Sequence, residues 1–178
     1  ENKMQAKKVF AKHDENYMPA SIKKELEKND YWKKNYKDTN LNISLPEFKI
    51  MNLFDQSEEL TNLDLKNKKV IINFFASWCA PCKKEHPLIL AIKENKNNIF
   101  IIGIDHKDLE SDAKTFLNKE GNPYHFVGMD KDGDIAYKFG VLGLPETFLI
   151  NKDGKIIYKH SGPLTKKIIK NKIAPYIQ

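Results

Sequence analysis

Val70-Ile71-Ile72-Asn73-Phe74-Phe75-Ala76-Ser77-Trp78-Cys79-Ala80-Pro81-Cys82-Lys83-Lys84-Glu85-His86-Pro87 is the stretch whose reading decides the fold. Its first seven residues are a near-continuous apolar run bounded by polar residues, the pattern of a central strand buried on both faces. After Trp78 the spacing becomes helical, and the only 2 cysteines of the chain stand three positions apart. On the first turn of a helix two such side chains share a face, so their sulfurs can close a small disulfide ring. A thiolate there also feels the positive end of the helix dipole and unpaired backbone N–H groups, which lower its pKa and make it reactive. A structural disulfide and half of a metal site are the plainer alternatives. A zinc site needs more ligands of the same kind, and no second cysteine pair supplies them. Dithiol redox chemistry is therefore the reading adopted.

Working outward, 178 residues suit one ordinary domain with an appendage, and 40% hydrophobic content is enough for a core. The net charge is +6, and all 30 basic residues are lysine. These lysines alternate with acids along the whole chain, which reads as solvated faces. Nucleic-acid binding would call for clustered basic residues with arginine among them, and is not expected. No run of about twenty apolar residues is present, so no membrane span is expected within the sequence.

Residues 1–44 are polar and lysine-rich and read as an extension or stalk, with Ser21 capping a short helix from Ile22 to Asp30. The domain is expected over 45–178. A first strand over Lys49 to Phe54 precedes the Val70–Ala76 strand. A helix then runs from Cys79 to about Glu94, kinked at Pro87. Further strands are expected at Ile99 to Asp105, Tyr124 to Gly128, Glu146 to Asn151 and Ile156 to His160, with hairpin chemistry at Asn151-Lys152-Asp153-Gly154. Helices are expected at Leu109 to Lys119, Gly133 to Phe139 and Leu164 to Ile177. The result is an α/β fold, a central mixed sheet with helices on both faces. Asp130-Lys131-Asp132-Gly133-Asp134 lacks the distal glutamate of a calcium loop and reads as a surface turn.

Taken together, these features resemble the thioredoxin superfamily. The Trp-Cys-x-x-Cys follows a buried strand and opens a helix, Pro87 lies five residues beyond Cys82, and Gly143-Leu144-Pro145 precedes a strand–hairpin–helix ending. Within the superfamily the chain is similar to the periplasmic TlpA, ResA and CcmG (DsbE) branch, closest to its CcmG-like members. Phe139-Gly140-Val141-Leu142-Gly143-Leu144-Pro145-Glu146-Thr147-Phe148 carries that likeness, as do Glu85-His86-Pro87 and the inserted helix and strand at about 108–128. The resemblance covers about residues 45–178. Asn73 stands where thioredoxins usually carry a buried aspartate, and this branch shares the asparagine.

The resemblance implies a thiol–disulfide oxidoreductase. Cys79 would be the exposed nucleophile and Cys82 the resolving thiol, with Glu85 as its base and Glu146 as the second candidate. Leu144 and a cis Pro145 would place a substrate strand, and Trp78 would cover the site. The Cys79–Cys82 disulfide would be the redox group, with no other cofactor and no metal; His86 and His160 read as structural. The branch further implies a reductant of apocytochrome c haem-site disulfides, acting directly or through a thiol carrier. Such a protein is fed by a membrane electron donor of the DsbD/CcdA type, in a periplasm where an N-terminal segment tethers it to the inner membrane. The alternatives are a TlpA-like or ResA-like reductant of another exported client, a DsbA-type oxidant, and a peptide-binding or holdase module without redox turnover.

Overall fold

Strands and helices follow the order implied by the hydrophobic pattern in the computed structural model, which describes residues 41–95 and 98–177. β1 (Ile43–Ser44), β2 (Lys49–Met51) and β3 (Glu59–Thr61) come first, followed by a 3-10 turn at Asn62–Leu65. β4 (Val70–Phe75) feeds α1 (Ala80–Asn95), β5 (Phe100–His106) feeds α2 (Glu110–Glu120), and β6 (Phe126–Asp130) leads to α3 (Asp134–Lys138). β7 (Glu146–Ile150) and β8 (Lys155–Ser161) close the strands. The chain then ends in α4 (Lys166–Ile168), a π turn over Ile169–Ile173, and α5 (Ala174–Ile177).

The main sheet has the order β1-β8-β7-β4-β5-β6. β4 runs parallel to β5 and antiparallel to β7, and all six of its side chains are buried. Alternation along β4 divides the core in two. Ile71 and Phe75 face a cluster containing Cys79, Cys82, Ile89, Phe116, Leu117 and Ile173. Val70, Ile72 and Phe74 face the other cluster, where Phe74, Phe139 and Phe148 meet edge-on or tilted at ring separations of 5.3–5.7 Å. α1, α2 and the C-terminal helices cover the first face; α3 and the β2–β3 hairpin cover the second.

Several expectations shift. Residues 41–44, assigned to the extension, join the domain: Leu41 is buried, and Ile43 pairs with Ile156. The first strand stops at Met51, because Asn52 turns its side chain to accept the Phe54 N–H at 2.8 Å. The strand expected at Tyr124 to Gly128 is displaced to Phe126–Asp130, which frees Tyr124 to turn inward. The C-terminal helix is interrupted rather than continuous. Pro175 has no N–H for the carbonyl four residues back, and the turn before it widens into π geometry. Pro87 lies inside α1 without ending it. The hairpin forms as expected, with the Asn151 side chain accepting from Asp153 and Lys155 N–H and with Gly154 at φ 73°. The helix expected at Ile22 to Asp30 lies outside the described residues.

One glycine sets the geometry around Tyr124. A Cβ on Gly103 would lie 2.6–2.8 Å from three carbons of the Tyr124 ring, so the ring rests directly on the β5 backbone. Gly103→Ala is expected to push the ring off the sheet and to cost about 1–3 kcal/mol in urea unfolding. An unchanged midpoint would show that the ring is free to give way.

Candidate active site

The turn after β4 delivers Cys79 to the start of α1, where its carbonyl accepts the Lys83 N–H at 3.2 Å. Cys79 and Cys82 are joined in a disulfide with their Cα atoms 5.3 Å apart. The Cys82 backbone N–H points at the Cys79 sulfur at 3.2 Å, one of the unpaired donors of a helix start. In this oxidised state Cys79 is 4% exposed and Cys82 3%. The exposed Cys79 expected from the sequence is thus corrected, because the bonded ring folds into the cluster that holds Phe75, Ala76 and Leu144.

One turn beyond Cys82, Glu85 is buried at 1% exposure, which is unusual for a carboxylate. Its Oε1 accepts from Asn73 Nδ2 at 2.9 Å, and its Oε2 accepts the Leu164 N–H at 2.6 Å. Asn73 Nδ2 also donates to Thr147 Oγ1 at 3.1 Å, and Asn73 Oδ1 accepts from Tyr124 Oη at 2.7 Å. Loss of water raises the Glu85 pKa to about 7, even though its two hydrogen bonds favour the anion. Burial holds the Tyr124 phenol far above its usual range, and the charges of Glu85 and Asp105 add to that. At neutral pH the network therefore holds one carboxyl close to half-ionisation and a phenol that stays protonated.

Glu146 falls elsewhere. Its strand partner is Phe74, and Thr147 pairs with Asn73, so these two neighbours point to opposite faces of the sheet. Thr147 joins the cysteine face, whereas Glu146 is buried on the far side. There its Oε1 accepts from Ser161 Oγ at 2.8 Å and the Leu142 N–H at 3.3 Å, and its Oε2 meets Lys159 Nζ at 3.0 Å. Burial raises its pKa against the pull of Lys159. Glu146 thus ties down residues 142–145, the loop containing the cis Leu144–Pro145 peptide, and does not share the space of Glu85.

Trp78 is 59% exposed and anchored at one edge, its indole N–H donating to the Lys107 carbonyl at 3.1 Å. His86 sits behind the site, with Nε2 2.8 Å from the Gly121 carbonyl and its ring against Phe116; burial lowers its pKa. No group of three or more potential metal ligands occurs among the described residues. Tyr124, Thr147 and the Leu164 N–H escaped the sequence reading. The one available signal was Asp105, a carboxyl closing an otherwise apolar strand.

With this geometry in view, comparison with known proteins is informative. Residues 41–174 match the Redoxin family model. A thiol:disulfide interchange protein, CycY of Rhizobium leguminosarum bv. viciae, is 39% identical over 67% of this chain and 63% of its own, so the match spans less than two thirds of that relative. The DsbE thiol:disulfide interchange protein of Pseudomonas aeruginosa is 36% identical over 75% of this chain and 73% of its own. A crystal structure from Chlorobium tepidum, described as of the DsbE type, superposes with a TM-score of 0.70 at 22% identity, over 79% of this chain and all of that one. That last likeness establishes the thioredoxin-like fold. The chain belongs to the Redoxin family, among the thiol:disulfide interchange proteins of the DsbE type.

Proposed function

We propose that this protein is a thiol–disulfide reductase whose Cys79 attacks protein disulfides and whose Cys82 resolves the mixed disulfide. The observation that carries this reading is the buried Glu85–Asn73–Tyr124–Thr147 network set one helical turn behind Cys82. In the cycle, the Cys79 thiolate forms a bond to one substrate sulfur as the substrate S–S bond breaks. Cys82 gives up its proton, attacks Cys79 and expels the substrate as a dithiol, leaving the Cys79–Cys82 disulfide. The Cys82 N–H and the helix start favour the negative charge on Cys79. Glu85 accepts the Cys82 proton, and a carboxyl with a pKa of about 7 is matched to that task at neutral pH.

The same chemistry supports the reducing direction. A dithiol is a strong oxidant when its reduced form is stabilised. Here a buried carboxyl near the pair disfavours extra negative charge, which makes the reduced form less comfortable and the pair more reducing. Leu144, the cis Pro145 and exposed Trp78 would border the extended substrate segment. The likeness of residues 139–148 to the CcmG-type motif supports apocytochrome c haem-site disulfides, or a thiol carrier for them, as the client. A membrane donor of the DsbD/CcdA type would then re-reduce the pair at the periplasmic face, where an N-terminal segment would tether the protein.

Two measurements test this. Cys82→Ala should trap clients as mixed disulfides on Cys79 in the host. Recovery of proteins with Cys-x-x-Cys-His sites, or of their carriers, is expected, and their consistent absence would remove the cytochrome assignment. In wild type, resolution should quicken as pH rises through about 7, when Glu85 becomes the anion able to accept a proton. Glu85→Gln should abolish that inflection and slow resolution about a hundredfold, the usual scale for a positioned base. A Gln variant with an unaltered pH profile would exclude Glu85 as the base.

A further inference from the structure

A second buried carboxyl lies on the cysteine face and takes no part in the cycle above. Asp105, the last but one residue of β5, pairs with Phe75 of β4 and Met129 of β6, and so points to the face that holds Cys79 and Cys82. It is fully buried, and neither oxygen accepts a hydrogen bond among the described residues. A buried carboxylate with no donor is costly, whereas a carboxylic acid there needs only an acceptor for its proton. Asp108 can supply that acceptor, since its side chain lies within hydrogen-bonding reach of the Asp105 carboxyl. Asp108 itself is fixed in place, with Oδ2 accepting the Ser77 N–H at 2.5 Å and Oδ1 the Leu109 N–H at 2.8 Å. Ser77 is two residues before Cys79, so the acid pair grips the turn that delivers the nucleophile.

We propose that Asp105 and Asp108 form an acid–carboxylate pair that holds one proton beside the turn into Cys79, and that loss of this proton opposes the Cys79 thiolate. Asp105 is thus a positioning residue that links the redox pair to pH, and the inference rests on dithiol exchange alone, whatever the client. Burial and the charges of Asp108 and Asp130 raise its pKa to about 8. Asp130 has its own partner in the His106 ring, with Nδ1 3.1 Å from its Oδ2, and no salt bridge to Asp105 or Asp108 occurs among the described residues. The Lys107 side chain and the His106 ring lie against Gly133, α2 packs Ala113, Phe116 and Leu117 into the cluster, and Glu85 lies on α1 beside the intervening Tyr124.

The electron count is simple. A dithiol donor loses two electrons and two protons and becomes a disulfide. Cys79–Cys82 takes both electrons, its S–S bond breaks, and Cys82 takes one proton while Cys79 remains a thiolate. The other proton goes to water below about pH 8 and to Asp105 above it, because the new thiolate pulls a proton back onto the pair. Reduction should therefore become more proton-dependent through that pH range.

The test is the potential of Cys79–Cys82 in the full chain, measured by equilibration with glutathione or dithiothreitol from pH 6 to 10. The Cys79 thiolate is followed in parallel by its absorbance near 240 nm. Wild type should show an extra steepening near pH 8 and a broadened thiolate titration. Asp105→Asn keeps the size and a donor for Asp108, and should lose the steepening and sharpen the titration, moving its upper part down by about half a pH unit or more. Asp108→Asn, which leaves Asp105 without its charged partner, should shift the steepening to lower pH. Profiles of Asp105→Asn superposable on wild type, with folding verified by circular dichroism, would overturn the proposal. So would a potential that moves equally at all pH values, as a purely structural role requires.

Discussion

The arrangement depends on one side-chain amide. Asn73 sits in the middle of the central strand, wholly buried, and spends its two N–H bonds on Glu85 and Thr147 while its oxygen receives the Tyr124 hydroxyl. In one residue it links the cysteine helix, strand β7 and the segment before β6. An aspartate in its place would have no N–H to offer, and two carboxyls would then face one another over a single shared proton. Because Asn73 both donates and accepts, Glu85 alone carries the proton question at this end of the site. Such a network stabilises only when every member is satisfied, and here each member has a partner.

Alternation along the strands explains where the sequence reading succeeded and where it failed. The sequence reading made Glu85 the first candidate base and Glu146 the second, since each is a carboxyl next to an element of the site. The side-chain period of two separates them: Glu146 is in register with Phe74, and Thr147 with Asn73. Phe148 and Ile150, two and four residues on, pack in the cluster away from the cysteines, so the pattern that places Glu146 was present in the apolar residues of its own strand. Adjacency to Pro145 was the misleading cue, because it says nothing about which face a residue takes.

Local chemistry was legible. The buried run at Val70, the helix after it and the Asn151–Gly154 hairpin all depend on residues close in sequence. The rest of the network was not. Tyr124 reaches Asn73 across 51 positions and Leu164 reaches Glu85 across 79, contacts that exist only once the sheet has formed. The Tyr124 ring also requires Gly103 beneath it, on a different strand. The interrupted C-terminal helix follows from Pro175, a residue visible in the sequence whose effect lies in the turn before it.

The electrostatic design runs against what a helix start alone would give. Backbone donors at the beginning of α1 stabilise a thiolate on Cys79, and left unopposed they would make the pair an oxidant by stabilising its reduced form. Two buried carboxyls, Glu85 and Asp105, both bear on Tyr124, and each is held near or above neutrality by loss of water. Neither can ionise freely while a thiolate is present, and each makes the thiolate dearer once it does. A reductant needs a nucleophile reactive enough to attack yet not so comfortable that it keeps its electrons. Setting a helix terminus against carboxyls poised near or above neutrality meets both demands.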